Sequence, residues 1–479
     1  MSDAPKIVVH EIEAGVRPVQ LRLPFRFGAV TLTKCPQLFV RAVVDVEGQR
    51  AVTGHAAELM VPKWFDKRPS YSAIDNVAQL AESVQMATQA YLYDTPATAF
   101  ELSARHAAPL QQQGQRKGFT ELTCAYGQAV IDRALADALC RALDLSFFDA
   151  AVRNLLGLQA HPAIADLREL DWDAWLAGLK PLRGLDARHT VGMLDALHAV
   201  PGDDDNGLPR SLPAVIACYG HRVFKIKLGG DPRADVQRLG EVLDVLDRHA
   251  PGHRYTLDGN EQYPDAAALS ELFIRLAGLA PFTQRPEALL YIEQPLPREH
   301  SLGEPLRFPQ APAPLLMDEA DGTLDAFVRG RELGWCGVSS KGCKGLYKAL
   351  VNRARCDQWN AQAQHDGQPP RFFMSAEDLT CQAGIAVQQD LAVAALLGLT
   401  HCERNGHHYV DGFGDAPPKE QRAFAMVHAE LYESSTGHPR LAIEDGRIAI
   451  DSLFKPGFAH RVDPDWRFVQ PLVRATAMV

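Results

Sequence analysis

Six side chains in the middle of this 479-residue sequence have the types and the spacing to do chemistry together. Lys225 and Lys227 stand in FKIK, Asp258 in TLDGN, Glu293 in YIEQP, Asp318 in LLMDEA and Lys341 in VSSK. Each falls where a short apolar run stops. From Lys227 onward the separations are 31, 35, 25 and 23 residues (258 − 227, 293 − 258, 318 − 293, 341 − 318). Each gap is long enough for a helix and two loops, as a right-handed crossover between parallel strands requires. A closed parallel barrel delivers the C-terminal ends of all its strands to one face, so these residues would converge there. Three carboxylates without a cation would repel one another and bind protons more tightly; around a hard divalent cation they make an oxygen cage suited to magnesium. Lys225 and Lys227, two apart on a strand, share a face. Crowding of two ammonium groups beside a metal disfavours the charged form, so one lysine can act as a neutral base. Lys341, from a strand about halfway round the barrel, would approach from the opposite side. A base on each face of a planar enolate serves racemisation or epimerisation; one base plus a stabilising cation serves elimination or ring closure.

The elements that must position these groups can be read from periodicity. Short apolar segments, each followed by a helix-like stretch, recur at Val191–Leu194, Val223–Leu228, Tyr255–Asp258, Leu289–Glu293, Leu315–Asp318, Val338–Lys341, Phe372–Ser375 and Thr400–Glu403. The helix after the second opens on Pro232 and carries Val236, Leu239, Val242, Leu243 and Leu246 on one face. Such alternation predicts an α/β barrel. The N-terminal part predicts mixed α and β: strands at Ile7–Ile12, Leu38–Val46 and Val52–Ala57, helices over Ile74–Tyr93, Ala129–Leu145 and Phe147–Leu156, and a loop at the Gln-rich Gln111–Lys117. Pro201–Pro213 and Gln364–Pro370 read as surface loops, and the segment after Leu441 as a β hairpin.

Composition narrows the function classes. With 46% hydrophobic and 23% charged residues the chain is of globular type. A formal net charge of −10 argues against general nucleic-acid or anionic-membrane binding, which rely on basic surface. Nine scattered cysteines without a C-x-x-C pair read as reduced thiols of a cytoplasmic protein. The N-terminal stretch lacks the apolar core of a signal peptide, and the apolar Leu391–Leu399 is far too short to span a bilayer and reads as a buried helix.

In order and spacing, FKIK, TLDGN, YIEQP, LLMDEA and VSSK resemble the enolase superfamily, in particular its muconate-lactonizing-enzyme branch within the mandelate racemase/muconate lactonizing enzyme group. The resemblance covers about Val223 to Glu403; LPFRFG, LFVRAVVDVEGQRAVTGHAAE and the closing LAIEDGRIAID resemble that family's cap. It implies a (β/α)7β TIM-like barrel with an α+β capping domain made of the N-terminal part and the C-terminal tail. The domains would be 1–187 (cap), 188–440 (barrel) and 441–479 (return to the cap). It implies Lys227 as one acid/base, Lys225 stabilising the enolate or carboxylate, and Lys341 as the opposite base. Asp258, Glu293 and Asp318 would be ligands of Mg2+, with Mn2+ as the alternative, and Asn260 and Glu319 their supporting partners. An Asp at the third metal position, with no His ending the seventh strand, separates the chain from the mandelate-racemase branch. It departs from the family at GCKG after Lys341, which makes Lys344 a further candidate, and at strand ends carrying Ser375, Glu377 and Glu403, which would touch substrate. A small carboxylic acid as partner and a homo-oligomeric state are implied as well.

Taken singly, each motif has a plain structural reading: K-x-K on an exposed strand is a solvated face, and Glu377 or Asp378 can simply serve a helix N-terminus. Their joint order is what carries weight. Arg26, Lys63 and Trp64 fall in cap loops expected to overhang the barrel mouth. His407 and His408, in a polar loop with no third partner in sequence, read as solvent-exposed; His365 as an inert loop residue, Cys343 as a small apolar filler and Trp335 as core. Two other functions fit the same residues: a Schiff-base aldolase built on a strand-borne lysine, and a barrel that binds metal or ligand without catalysis.

Overall fold

The structure is a computed structural model that describes residues 4–28, 30–203, 208–306, 308, 310–434 and 437–479. Positions 204–207 of the expected loop at Pro201–Pro213, and positions 1–3 of the N-terminal stretch, lie outside the described residues.

The cap begins with an antiparallel meander of β1 (Ile7–Phe27), β2 (Val30–Val46) and β3 (Gln49–Leu59). The first two strands are longer than expected. Pro18, Pro24 and Pro36 argue against strand in the sequence, but they are placed where a missing N–H costs little. Pro18 lies opposite Pro36, the register shifts between Gln20 and Phe25, and β3 joins β2 only from Gln37 onward. Helices α1 (Ala73–Leu92), α2 (Ala99–Arg116) and α3 (Glu121–Ala142) follow. The expected loop at Gln111–Lys117 is instead the end of α2, which runs to Arg116 and is capped by Lys117. Glutamine is a good helix former, and Gln111 Nε2 donates to the carbonyls of Glu121 and Gly322, so this polar run is ordered. Nearly the whole of α3 is buried, and its charges are paired: Arg133 with Glu58 at 2.9 Å, and Asp137 with the amides of His55 (2.9 Å) and Phe458 (2.7 Å). That last bond ties the C-terminal tail to the cap.

Eight parallel strands close into a barrel: β4 (Gly184–Val191), β5 (Val223–Lys227), β6 (Arg254–Asp258), β7 (Leu289–Glu293), β8 (Leu315–Met317), β9 (Gly337–Ser340), β10 (Phe373–Ala376) and β11 (His401–Glu403). Glu403 of β11 pairs with Arg188 of β4 to shut the ring. Seven strands coincide closely with the expected segments. The first begins earlier than Val191–Leu194, because Asp186, Arg188 and His189 interrupt its apolar pattern, and Leu194 is 53% exposed. In the tail, Arg447–Ala449 adds an antiparallel edge to the start of β4, and Gln470–Pro471 pairs with β1, so the return touches the barrel before the cap. The buried helix expected at Leu391–Leu399 spans Ile385–Leu396, buried along its whole length; it starts earlier, through Gln388, Gln389 and Asp390, and ends before Leu397. No helix among the described residues is long and apolar enough to cross a membrane, and all nine cysteines are free thiols.

Candidate active site

The C-terminal ends of the barrel strands carry a buried lattice of charge. Lys225, on β5, has its Nζ 2.9 Å from Asp258 Oδ2, 2.8 Å from Glu293 Oε2, 2.7 Å from Glu377 Oε2 and 3.1 Å from Glu403 Oε2. Lys227 reaches Asp258 Oδ2 at 2.6 Å and Asn260 Oδ1 at 2.8 Å. Asp258 therefore lies between the two ammonium groups. Its carboxylate screens them from each other. Across the ring, Lys341 Nζ is 2.5 Å from Asp318 Oδ2, and Ser339 Oγ donates to Asp318 Oδ1 at 2.5 Å. In a ring of eight, β5 and β9 are diametrically opposed, so Lys227 and Lys341 enter from opposite walls.

Local backbone geometry sets these ends. Asn260 and Glu261 both have positive φ (42° and 67°), a conformation costly for non-glycine residues and held here by bonds on either side. The turn brings Asn260 Oδ1 to Lys227 and Asn260 Nδ2 to within 3.2 Å of Glu319 Oε1. Gln294, between Glu293 and Pro295, accepts the amides of Asp318 (2.9 Å) and Ala320 (3.1 Å) through Oε1 and so aligns the end of β8 with that of β7.

Cap residues close over this lattice. Trp64, 3% exposed, lays its ring 4.3 Å from Lys341 Nζ, and the Phe25 ring lies 5.8 Å from Lys227 Nζ. Arg298 holds the Trp64 loop by donating to the carbonyls of Trp64 and Phe65, each at 2.8 Å. Arg26 is not brought in: on β1 its neighbours Phe25 and Phe27 point inward, and it faces solvent. Lys63 is spent on the carbonyls of Arg68 and Tyr71, while Lys67 reaches the site, 2.8 Å from both Glu319 Oε1 and the Asn260 carbonyl. Lys344 donates to the Asp318 carbonyl at 2.9 Å and to Ser339 Oγ at 2.8 Å and pairs with Asp321 at 2.8 Å, so it holds the loop under Asp318. A cavity of about 350 Å3 between α2, α3 and the turn after β9 is bordered by Lys344 and Lys348 and by none of the six strand-end residues.

Besides Lys67, three further residues escaped the sequence reading. Arg188 donates to Glu377 Oε1 at 2.5 Å and to Ser375 Oγ at 2.9 Å. Tyr291 OH lies 2.8 Å from the same Glu377 oxygen and 2.6 Å from Ser375 Oγ. Thr190 donates to Glu403 Oε1 at 2.6 Å. Polar residues alternating as Arg188 and Thr190 in a barrel strand were the available signal.

Burial pushes every carboxyl here up; the cations decide which stay charged. Against burial, Lys225 and Lys227 hold Asp258 below the ordinary carboxylate range, and Arg188 and Lys225 do the same for Glu377. Glu293 goes the other way: burial, and then the neighbouring Asp258 and Glu377, raise it well above that range. Burial also opposes the charge on Lys225, but its four carboxylates outweigh it and hold the ammonium above its ordinary value. Glu293 Oε2, although 2.8 Å from Lys225 Nζ, accepts no well-directed hydrogen bond. An undercompensated carboxylate beside two more on neighbouring strands is a hard-oxygen donor set that fits a divalent cation. Among the described residues, the side-chain sets whose ligand atoms already lie within 4.8 Å of one another do not include Asp258, Glu293 or Asp318, which here pair with Lys225 and Lys341.

His407 and His408 are not exposed loop residues. They lie in a short helix (Gly406–Tyr409), with His408 fully buried and His407 half-buried, among the rings of His189 and His221.

No protein-family model matches the sequence, and no curated protein matches it significantly. Solved structures do match over nearly the whole chain. The muconate lactonizing enzyme of Pseudomonas fluorescens complexed with muconolactone is 15% identical, with a TM-score of 0.59, over 95% of this chain and 97% of its own. The dipeptide epimerase of Enterococcus faecalis, complexed with Mg and the dipeptide L-Leu-L-Tyr, is 12% identical (TM-score 0.58; 94% and 99% covered). An enolase from Bradyrhizobium with magnesium and mandelic acid is 16% identical (TM-score 0.57; 97% and 97% covered). The chain thus shares the fold of these solved structures, a capped barrel of the kind the strand-end motifs implied.

Proposed function

We propose that this protein is an enzyme that removes the proton α to the carboxylate of a small organic acid and completes a racemisation, epimerisation, cycloisomerisation or dehydration from the resulting enediolate. One observation carries the reading: Lys227 and Lys341 enter from opposite walls of the barrel, each paired with a different carboxylate of the acidic set and each covered by a cap aromatic. That is the arrangement for one base on each face of a planar carbanion. A divalent cation held by Asp258, Glu293 and Asp318, magnesium or manganese, would supply the positive charge that stabilises the enediolate. Asp258 and Asp318, once engaged in that way, would no longer hold the protons of Lys227 and Lys341, and a lysine freed from its carboxylate is a stronger candidate base. Lys225, released from the same carboxylates, would pair with the substrate carboxylate. Asn260 orients Lys227, Glu319 and Lys67 brace Asn260, and Trp64 and Phe25 exclude water from the reacting carbon. Glu377, Glu403 and Ser375, held by Arg188, Thr190 and Tyr291, line the wall that would select the substrate. The solved relatives with bound muconolactone, a dipeptide or mandelic acid support a small carboxylate as the ligand class. Nine free thiols support a reducing, cytoplasmic setting.

The test is α-proton exchange in heavy water with magnesium, screened over acid sugars, amino acids and dipeptides. Exchange that EDTA abolishes and magnesium restores is the expected result. A borohydride-trapped adduct on Lys227 or Lys341 would replace the proposal with Schiff-base chemistry, and a screen without any exchange would leave a binding protein.

A further inference from the structure

We infer that His189, His221 and His407 form a binding site for a transition-metal ion on the outside of the barrel wall, separate from the strand-end carboxylates. The site follows from how β4 is built. Arg188 and Thr190 face the barrel interior, so His189 between them faces outward, where its ring centroid lies 5.1 Å from that of His221 and 6.2 Å from that of His407. One ligating atom from each of the three lies within 4.8 Å of the others. His189 and His221 are each 1% exposed, yet His189 Nδ1 and His221 Nε2 have no hydrogen-bond partner, and His407, whose ring is engaged by the Arg404 backbone, keeps a second nitrogen without one. Buried polar atoms of this kind are ordinarily satisfied, and one ion among the three ligating atoms would satisfy them together.

The hydrogen bond of His221 is of the right kind. His221 Nδ1 lies 3.0 Å from the Ala187 carbonyl, which can only accept. Nδ1 therefore carries the proton, and Nε2 presents a lone pair, the tautomer in which metal-ligating histidines are held. Burial lowers His221 to about 4 and holds His189 and His407 well below their ordinary value, so all three are neutral, as ligation requires. The neighbouring His189–Asp195–His408 set is already committed. Asp195 Oδ2 accepts from the Gly192 amide and Tyr409 OH, each at 2.7 Å, and His408 Nδ1 faces the Arg22 guanidinium at 3.3 Å. Gly406 seats the His407 turn so closely that a Cβ there would lie 2.1 Å from the Cys381 carbonyl, so the cluster is held rigidly.

Three imidazoles without a carboxylate select zinc, copper, nickel or cobalt over magnesium. The fourth position falls to water, which half-buried His407 admits. The ligands come from the first barrel strand, the segment leading into the second, and the helix after the last, so the ion would pin the seam where β11 meets β4.

The test uses the full chain, stripped of metal and loaded with one equivalent of Co2+ in excess Mg2+, which keeps the carboxylate site occupied. The expected spectrum has the intense visible bands of a four-coordinate, nitrogen-rich site. In parallel, Zn2+ should bind one per chain and raise the Tm. In His407→Ala the bands should vanish, zinc affinity should fall about 100-fold or more, and the Tm shift should disappear. A wild-type cobalt spectrum showing only weak octahedral bands, or His407→Ala binding zinc like the wild type, would overturn the site. The wild-type spectrum decides the matter even if the variant fails to fold. Because Mg2+ and the histidine variant isolate this cluster, its failure would leave the proposed catalysis untouched.

Discussion

Along β4, the inner side chains Arg188 and Thr190 meet Glu377 and Glu403, whereas the outer His189 meets three other imidazoles. Both faces bury polar groups, by different physics. Inside the barrel, formal charges offset one another, so each member is held by its partners and removing one strands another in a low-dielectric interior. Outside, the rings themselves are neutral, and what is left open are lone pairs. The first arrangement suits the transfer of protons at a charged centre, and the second suits a soft or borderline cation.

The comparison can be broken from several directions. The largest effect should come from the lysines of the inner network: Lys227→Met and Lys341→Met should each cut α-proton exchange by about 10^2 to 10^4-fold or more, with circular dichroism unchanged. Full activity in Lys341→Met would end the two-face arrangement and turn attention to Lys344. Next, Arg188→Met leaves buried Glu377 with Lys225 as its paired cation and the Tyr291 hydroxyl as a donor, and urea denaturation should register a loss of about 3 kcal/mol. His189→Leu on the outer face of the same strand should cost only about 1 kcal/mol in metal-free protein, as the loss of a neutral ring. Equal costs would erase the contrast. The pH dependence has a definite sign. Glu377 is held below its ordinary value of 4.5, so its contribution to stability is complete above about pH 4.5, fades as the pH falls from there, and should shrink in Arg188→Met. A smaller change is expected in Glu293→Gln, which should weaken magnesium binding by about tenfold or more in calorimetry; unchanged affinity would remove Glu293 from the cation site. Smallest of all, Trp64→Ala removes one cation–π contact to Lys341 and should lower kcat/KM for exchange only several-fold, or about 1 kcal/mol.

The strand-end residues were legible because an apolar run that stops at a charged side chain marks its own boundary, and β5, β6 and β7 end on Lys227, Asp258 and Glu293 as read. The order of those ends around a barrel followed from spacing alone. The first strand was misplaced for the reason that makes it informative: Arg188 and Thr190 are polar where the pattern asks for apolar, and only the carboxylates arriving from β10 and β11 explain them. Thr190 and Glu403 are 213 residues apart and meet because the barrel closes. Likewise, nothing in a Gly-His-His-Tyr stretch announces burial until β11 is laid against β4 and carries His407 to His189 and His221. The sequence by itself thus determined the type of fold and which residues end its strands, since both are local properties of pattern. Which charge meets which, which lysine of the cap loop reaches in (Lys67 rather than Lys63), and which histidines share a space were decided by tertiary structure. Pairing energy depends on distance through the closed barrel, and that distance is not written in any local pattern.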